Sequence, residues 1–266
     1  MARILIGLPI GLMGLCVVLV LGVLVGDFLP AITSENLGLA GPFLLRTIAY
    51  ALITAMGQVL IGLLAALTVL WLAKRRLSQL VLIVVFLLPY AIPATVIGLV
   101  FRFGLGSESM WAQYASPFFG VAPTYWLYDH TFEAAILASI WQFFPFAFLL
   151  SFLALRSIPT QTLRAAQIDG APFHHILAAI VLPRIWPVLA AILSLRFIFM
   201  MVKFDTPYVF TETIQSAHDV ATIELWRAIA GSTSPELSLI GWGLQLMVLF
   251  VAASYVWVRA RRDASA

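Results

Sequence analysis

A chain of 266 residues with 62% hydrophobic and 10% charged residues cannot cover a soluble surface, since water-soluble chains carry about 25% charged residues. The net charge of +3 says little as a total, and its distribution along the chain carries the information. Cys16 is the single cysteine, which excludes an intrachain disulfide and any metal site built on cysteines.

Residues 4–29 are apolar apart from Asp27, long enough for a spanning helix of about 20 residues. The run exceeds the core of a signal peptide, about 7–15 residues, and no small-residue cleavage pattern follows, so a retained span is expected. Residues 31–43 read as a short loop carrying Glu35, glycines and prolines. The second expected span, 45–73, has Arg46 near one boundary and Gln58 inside it, and ends at the basic corner Lys74-Arg75-Arg76. The third, 77–101, is interrupted by Pro89-Tyr90-Ala91-Ile92-Pro93. Two prolines so close should break or kink a helix, which a membrane tolerates where protein or a cavity covers the freed backbone.

Residues 102–133 form a longer loop with Trp111, Tyr114, Tyr125, Trp126 and Tyr128, side chains that suit a membrane–water interface. The fourth expected span, 134–155, holds Trp141, Gln142 and Pro145 midway. The fifth, 185–202, contains Arg196. A polar segment, 203–236, leads to the sixth, 237–258, which Arg259, Arg261 and Arg262 close.

Between the fourth and fifth spans lies a polar stretch, 159–183, that reads as two short helices joined by a bend. Pro159 and Thr160 open the first helix. Gly170 ends it, because glycine takes a left-handed C-terminal conformation without steric cost. Pro172 begins the second helix, and Pro183 limits how far that helix runs unkinked. Small Ala165 and Ala166 precede the Asp169-Gly170-Ala171 elbow, so the backbone there can approach another surface closely. The neighbouring His174 and His175 point to different helix faces with no ligands nearby, and a polar helix surface is their expected role rather than metal binding.

Charge asymmetry orients the chain. With the N-terminus in the cytoplasm, the inner side collects Arg3, Lys74, Arg75, Arg76, Arg156, Arg164, Arg184, Arg259, Arg261 and Arg262. The outer side holds only Arg46, Arg102, Lys203 and Arg227. This is the positive-inside pattern, and it puts the 159–183 stretch and both termini in the cytoplasm. Neither lysine has the glycines and Ser or Thr of a phosphate-cradling loop, so energy must arrive through another subunit or an ion gradient.

Arg164-Ala165-Ala166-Gln167-Ile168-Asp169-Gly170-Ala171, followed by Ile180-Val181-Leu182-Pro183, resembles the EAA loop of binding-protein-dependent ABC importer permeases. Leu88-Pro89-Tyr90-Ala91-Ile92-Pro93 resembles the third-span motif of carbohydrate permeases. Ser157-Ile158-Pro159 precedes the loop as in that family, and the run Phe204-Asp205-Thr206-Pro207-Tyr208-Val209-Phe210-Thr211 is similar to a segment of maltose- and glycerol-phosphate-type permeases. Arg164 stands where the family has Glu, so a salt bridge from that position to a basic residue of the ATPase cannot form. Thr213-Ile214-Gln215 replaces a Gly-Gly-Pro run, a departure that bears on the sugar assignment more than on the permease one.

The resemblance implies an all-α polytopic membrane protein, six transmembrane helices with a cytoplasmic coupling-helix loop, the fold of type I ABC importer permeases. It implies a transport subunit, not an enzyme, carrying a sugar or sugar derivative across a bacterial or archaeal cytoplasmic membrane. Its partners would be a second permease subunit, two cytoplasmic ATPase subunits, an extracytoplasmic solute-binding protein and membrane lipid, with no nucleic acid. No cofactor is expected in this chain; ATP and Mg would be bound by the partner ATPase. Coupling would fall to Arg164, Ala165, Ala166, Asp169, Gly170, Ala171, Leu182 and Pro183, with Asp169 making a capping contact.

Polar groups inside spans often face a cavity, which brings forward Gln58, Tyr90, Gln142, Arg196 and Gln245 as pathway candidates; Asp205 and Tyr208 join them through the resemblance. Interhelical hydrogen bonding is the other use of such groups, and Trp141, Phe143 and Phe144 offer either a stacking face or ordinary packing. Three other readings stay open. An ion-coupled secondary transporter would call for intramembrane carboxylates, and no expected span has a central Asp or Glu. A membrane-embedded enzyme would need a clustered nucleophile, metal set or acid pair. An ABC permease for a polyamine, anion or metal would keep the architecture and change the cargo.

Overall fold

The computed structural model describes residues 34–71, 75–105, 130–211, 220–223 and 226, and every element among them is helical. The expected spans 4–29 and 237–258, most of the 102–133 loop and Gln245 lie outside the described residues.

Helix α1, Ser34–Trp71, is longer than the sequence suggested, and the expected 31–43 loop is helical from Ser34 on. Ser34 and Glu35 make a polar, acidic first turn that suits a helix N-terminus, and Leu37, Leu39 and Ala40 are strong helix formers. Against these, Pro42 removes one backbone donor and leaves the helix otherwise intact.

The third expected span is two helices, α2 (Arg76–Ala91) and α3 (Ala94–Leu105), meeting at 94°. The cause is Pro93: the residue before a proline is driven out of the helical region, and Ile92 has φ −88 and ψ 132. Helix α4, Thr131–Arg156, forms the centre of the bundle. Helix α5, Thr160–Ile168, is followed by α6, Phe173–Met201, and a short α7, Asp205–Thr211. Pro183 was expected to limit how far the helix after the elbow runs unkinked, and α6 continues through it only with a local departure from regular α geometry. The chain passes the missing donor by widening to a π turn over Ile176–Val181, with the Leu182 amide bonded to the Leu177 carbonyl.

Apolar surroundings give helices no hydrophobic reason to associate, so close backbone approach and internal hydrogen bonds must hold them. Between α1 and α4 that approach rests on glycine. A Cβ at Gly62 would lie 2.6 Å from the Phe148 backbone nitrogen, and one at Gly57 would lie 2.5 Å from Ile140 Cδ1. Ala55 and Ala66 on α1 and Ala134, Ala138 and Ala147 on α4 are likewise small and fully buried, whereas Ala51 packs with Met200, Met201 and Ala221. One apolar cluster centres on Ala66, Phe148, Phe152, Val181 and Ile185, and a second on Tyr50, Ile97, Ala134, Phe210 and Ile223.

Three described helices are long and apolar enough to cross a membrane: Gly41–Trp71, Thr131–Arg156 and Phe173–Met201. The bent α2–α3 pair makes a fourth crossing when counted as one span. Exposed Leu52, Met56, Leu60 and Leu64, spaced four apart on α1, present an apolar stripe of the kind a bilayer or a second membrane chain covers.

Gly62→Leu should force α1 from α4 and destabilise the purified protein in detergent by about 1–3 kcal/mol, the usual cost of overpacking. Gly41→Ala, where a Cβ meets nothing within 4 Å, should leave thermal unfolding unchanged. Equal melting of the two variants would contradict the glycine-dependent packing.

Candidate functional site

Two constellations stand out from the apolar bundle. The first is a buried polar seam between α1, α4 and α6. Tyr50, Thr54 and Gln58 recur every four residues on α1, so they share one face. The Tyr50 hydroxyl pairs with the Ser139 hydroxyl on α4 at 2.6 Å. Gln58 is fully buried and uses both ends of its amide: Nε2 donates to the Ser139 carbonyl (3.0 Å), and Oε1 accepts from Arg196 Nε on α6 (2.6 Å). Nearer the start of α1, the Thr47 hydroxyl accepts the Ala221 amide at 2.8 Å.

Gln142 closes the α2–α3 break. Its Nε2 donates to the Ile92 carbonyl at 3.2 Å, the group that the bend frees, and its Oε1 accepts from Thr206 on α7 at 3.4 Å. Gln142 therefore ties three elements at one point, where the sequence had said only that something must cover the broken backbone.

Two cations lie against the Phe143 ring. Arg196 lies 4.7 Å from its centroid and Lys203 4.2 Å. Lys203 also bonds Asp205 at 2.6 Å; burial pulls its ammonium below the usual range, and the Asp205 bond opposes that pull. Tyr90, half exposed, meets Phe143 edge-on at 6.1 Å. Tyr208 stacks on Phe204 at 4.9 Å and faces Trp226.

Of the pathway candidates, Gln58 and Gln142 are thus interhelical connectors. Tyr90 and Asp205 gather around Phe143, while Tyr208 belongs to a separate aromatic group. Trp141, Phe143 and Phe144 do not share a face: Trp141 is exposed beside Phe101, and Phe144 is buried beside Phe86. Tyr50, Thr54, Ser139 and Thr206 were not singled out from sequence. For the α1 members the spacing of four was the available signal.

The second constellation is the elbow. Gly170 has φ +74, with its amide on the Gln167 carbonyl (3.1 Å) and the Ala171 amide on the Ala166 carbonyl (3.0 Å). That pair of bonds is a Schellman cap. Backbone groups close it, and the Asp169 carboxylate is exposed, so the expected side-chain cap gives way to a backbone one. Ala166, Ala171 and Leu182 pack partly buried against the apolar cluster, whereas Arg164, Ala165, Gly170 and Pro183 are exposed. Ile168 stands at 85% exposure beside the cap. Phe173 packs edge-on against Trp71 at 4.2 Å, which links the start of α6 to the end of α1. His174 and His175 are exposed, and no group of metal ligands forms among the described residues.

The family profile "Binding-protein-dependent transport system inner membrane component" matches residues 58–264. The chain belongs to this family. It is a transport subunit of the inner membrane, multi-pass, and not itself an ATPase. It is 31% identical over 182 residues to the galactooligosaccharides transport system permease protein GanP of Bacillus subtilis, covering 65% of this chain and 43% of that protein. It is 30% identical over 167 residues to the trehalose/maltose transport system permease protein MalF of Thermococcus litoralis, covering 62% of this chain and 56% of that one. The chain thus spans about half the length of these curated relatives.

Among solved structures, a chain of the MetNI methionine ABC transporter superposes with a TM-score of 0.60 at 15% identity, covering 86% of this chain and 99% of that one. A bacterial ABC transporter for import of the acidic polysaccharide alginate gives 0.63 at 17%, covering 88% and 83%. At these identities the likeness is one of fold, that of ABC importer permeases.

Gln142→Leu should free the Ile92 carbonyl and the Thr206 hydroxyl, at a cost of about 1–2 kcal/mol. Thermal unfolding of the purified variant would measure it. Wild-type stability in Gln142→Leu would mean that the break holds without its side-chain tie.

Proposed function

We propose that this permease carries a sugar or sugar derivative into a bacterial or archaeal cell, as one half of an ATP-driven translocation pathway. The sugar class is supported by the relatives whose names specify galactooligosaccharides, trehalose and maltose. In this reading the chain makes six spans, adding 4–29 and 237–258 to those described, with both termini and the elbow in the cytoplasm. It pairs with a second permease subunit, two ATPase subunits bind below, and a solute-binding protein delivers cargo from outside.

The observation that carries the reading is the single helix Phe173–Met201. It starts at the exposed elbow and reaches Arg196 in the buried seam, so movement at one end must be felt at the other. ATPase closure would shift the elbow as a rigid body and rock the helices around the seam, opening the pathway to each side in turn. Arg164, Ala165, Asp169, Gly170 and Pro183 would face the ATPase, with Ala166, Ala171 and Leu182 holding the elbow on the bundle. Tyr90, Asp205 and Tyr208 would line the pathway, while Gln58 and Gln142 keep its helices in register.

Gly170→Val tests the elbow. Nothing lies within 4 Å of a Cβ there, so its effect would come from the left-handed backbone, which a β-branched residue resists. With permease levels in the membrane unchanged, co-purifying ATPase and ATP-driven uptake should each fall about tenfold or more. Gly170→Asn, which tolerates that conformation, should retain both. Normal ATPase recovery and uptake in Gly170→Val would remove the coupling role.

A further inference from the structure

Arg196 is 5% exposed on a membrane-spanning helix, and no carboxylate among the described residues pairs with it. Its Nε donates to Gln58 Oε1, a neutral acceptor, and its buried Nη2 meets no acceptor among the described residues. Three rings surround the guanidinium, Phe143 at 4.7 Å, Phe146 at 5.6 Å and Phe199 at 5.9 Å. The nearby carboxylate, Asp205, is bonded to Lys203, which lies against the same Phe143 ring. Two cations and one anion thus leave one positive charge uncompensated at Phe143 among the described residues.

Helix pairing does not account for that charge. A neutral amide at 196 would hydrogen-bond Gln58 without the cost of an ionised group in an apolar bundle. A guanidinium offers a planar fork of donors suited to carboxylate and phosphate, and one arm of this fork is free. The cluster also borders the surface, since Tyr90 and Phe199, both against it, are each about half exposed.

We propose that the Nη2 edge of Arg196, with Phe143 beneath it and Lys203 alongside, is an anion-reading subsite, and that the transported solute bears a carboxylate or phosphate group. This rests on the permease reading and narrows its cargo to an acidic sugar derivative or a phosphorylated small solute.

The test is uptake by the whole complex, purified from native membranes with its ATPase, second permease and binding protein. Reconstitution in phosphatidylcholine vesicles leaves the lipid without net charge. Labelled trigalacturonate, glycerol 3-phosphate and maltotriose serve as carboxylate, phosphate and neutral probes. We expect one anionic probe to enter about tenfold faster than maltotriose. That ratio should fall at least about tenfold in Arg196→Gln and stay within about threefold of wild type in Arg196→Lys. Gln58→Leu loses the same Nε bond and the register it sets but keeps the charge, so uptake of every probe should slow together while the ratio is retained; this separates anion reading from helix pairing even if Arg196→Gln folds poorly.

Preference for maltotriose, no uptake of either anionic probe, an unchanged ratio in Arg196→Gln, or equal loss of that ratio in Gln58→Leu would each overturn the assignment. So would selectivity that appears only when phosphatidylglycerol is added, since the anion would then be lipid. Uptake that ignores ATP and collapses with a protonophore would overturn the importer reading, while the ratio would still judge Arg196.

Discussion

The contact between Arg196 Nε and Gln58 Oε1, 2.6 Å long and closed off from solvent, constrains everything packed around it. A charged group inside an apolar bundle has few tolerable positions, because moving away from its acceptor leaves it unsolvated. The pair therefore sets where α6 lies against α1. Gln58 passes the constraint on through Nε2 to the Ser139 carbonyl, so α4 is held by the same side chain. Around this point the glycine contacts of α1 with α4 supply close packing, which has no directional preference of its own. Packing brings the helices together, and the seam fixes their register.

The α2–α3 break obeys the same logic. Pro93 forces Ile92 out of helical geometry and frees its carbonyl, and in a bilayer that group must find a donor within the protein. Gln142 supplies it, and its other end reaches Thr206. A break that would otherwise be a weakness becomes a junction of α3, α4 and α7. The bend thereby becomes a fixed feature of the region around Tyr90 and Phe143.

Much of this was legible in the sequence because the strongest local rules act alone. Pro89 and Pro93 announce the break, and Gly170 announces the elbow, which forms with the expected left-handed φ. Long apolar runs announce helices α1 and α4. Two prolines sit inside helices: in sequence alone, residues 31–43 read as a loop, and Pro183 as the limit of an unkinked run. At Pro42 the strong helix formers before it win, and at Pro183 a π turn absorbs it. Neither outcome is visible in the proline itself. The partners within the seam were hidden differently. That Gln58 would be polar and buried follows from its span, but that it would meet Arg196, 138 residues away, depends on how the helices assemble.

One helix, Phe173–Met201, with its π turn over Ile176–Val181, runs from the elbow to the seam. A double-mutant cycle tests the central constraint most directly. Unfolding free energies of Gln58→Leu, Arg196→Leu and the double variant would be measured in detergent against wild type. A coupling of about 1 kcal/mol or more is the predicted result, near the upper part of the range for hydrogen bonds between membrane helices. Additivity within about 0.3 kcal/mol would contradict it, and the helices would then owe their register to packing alone.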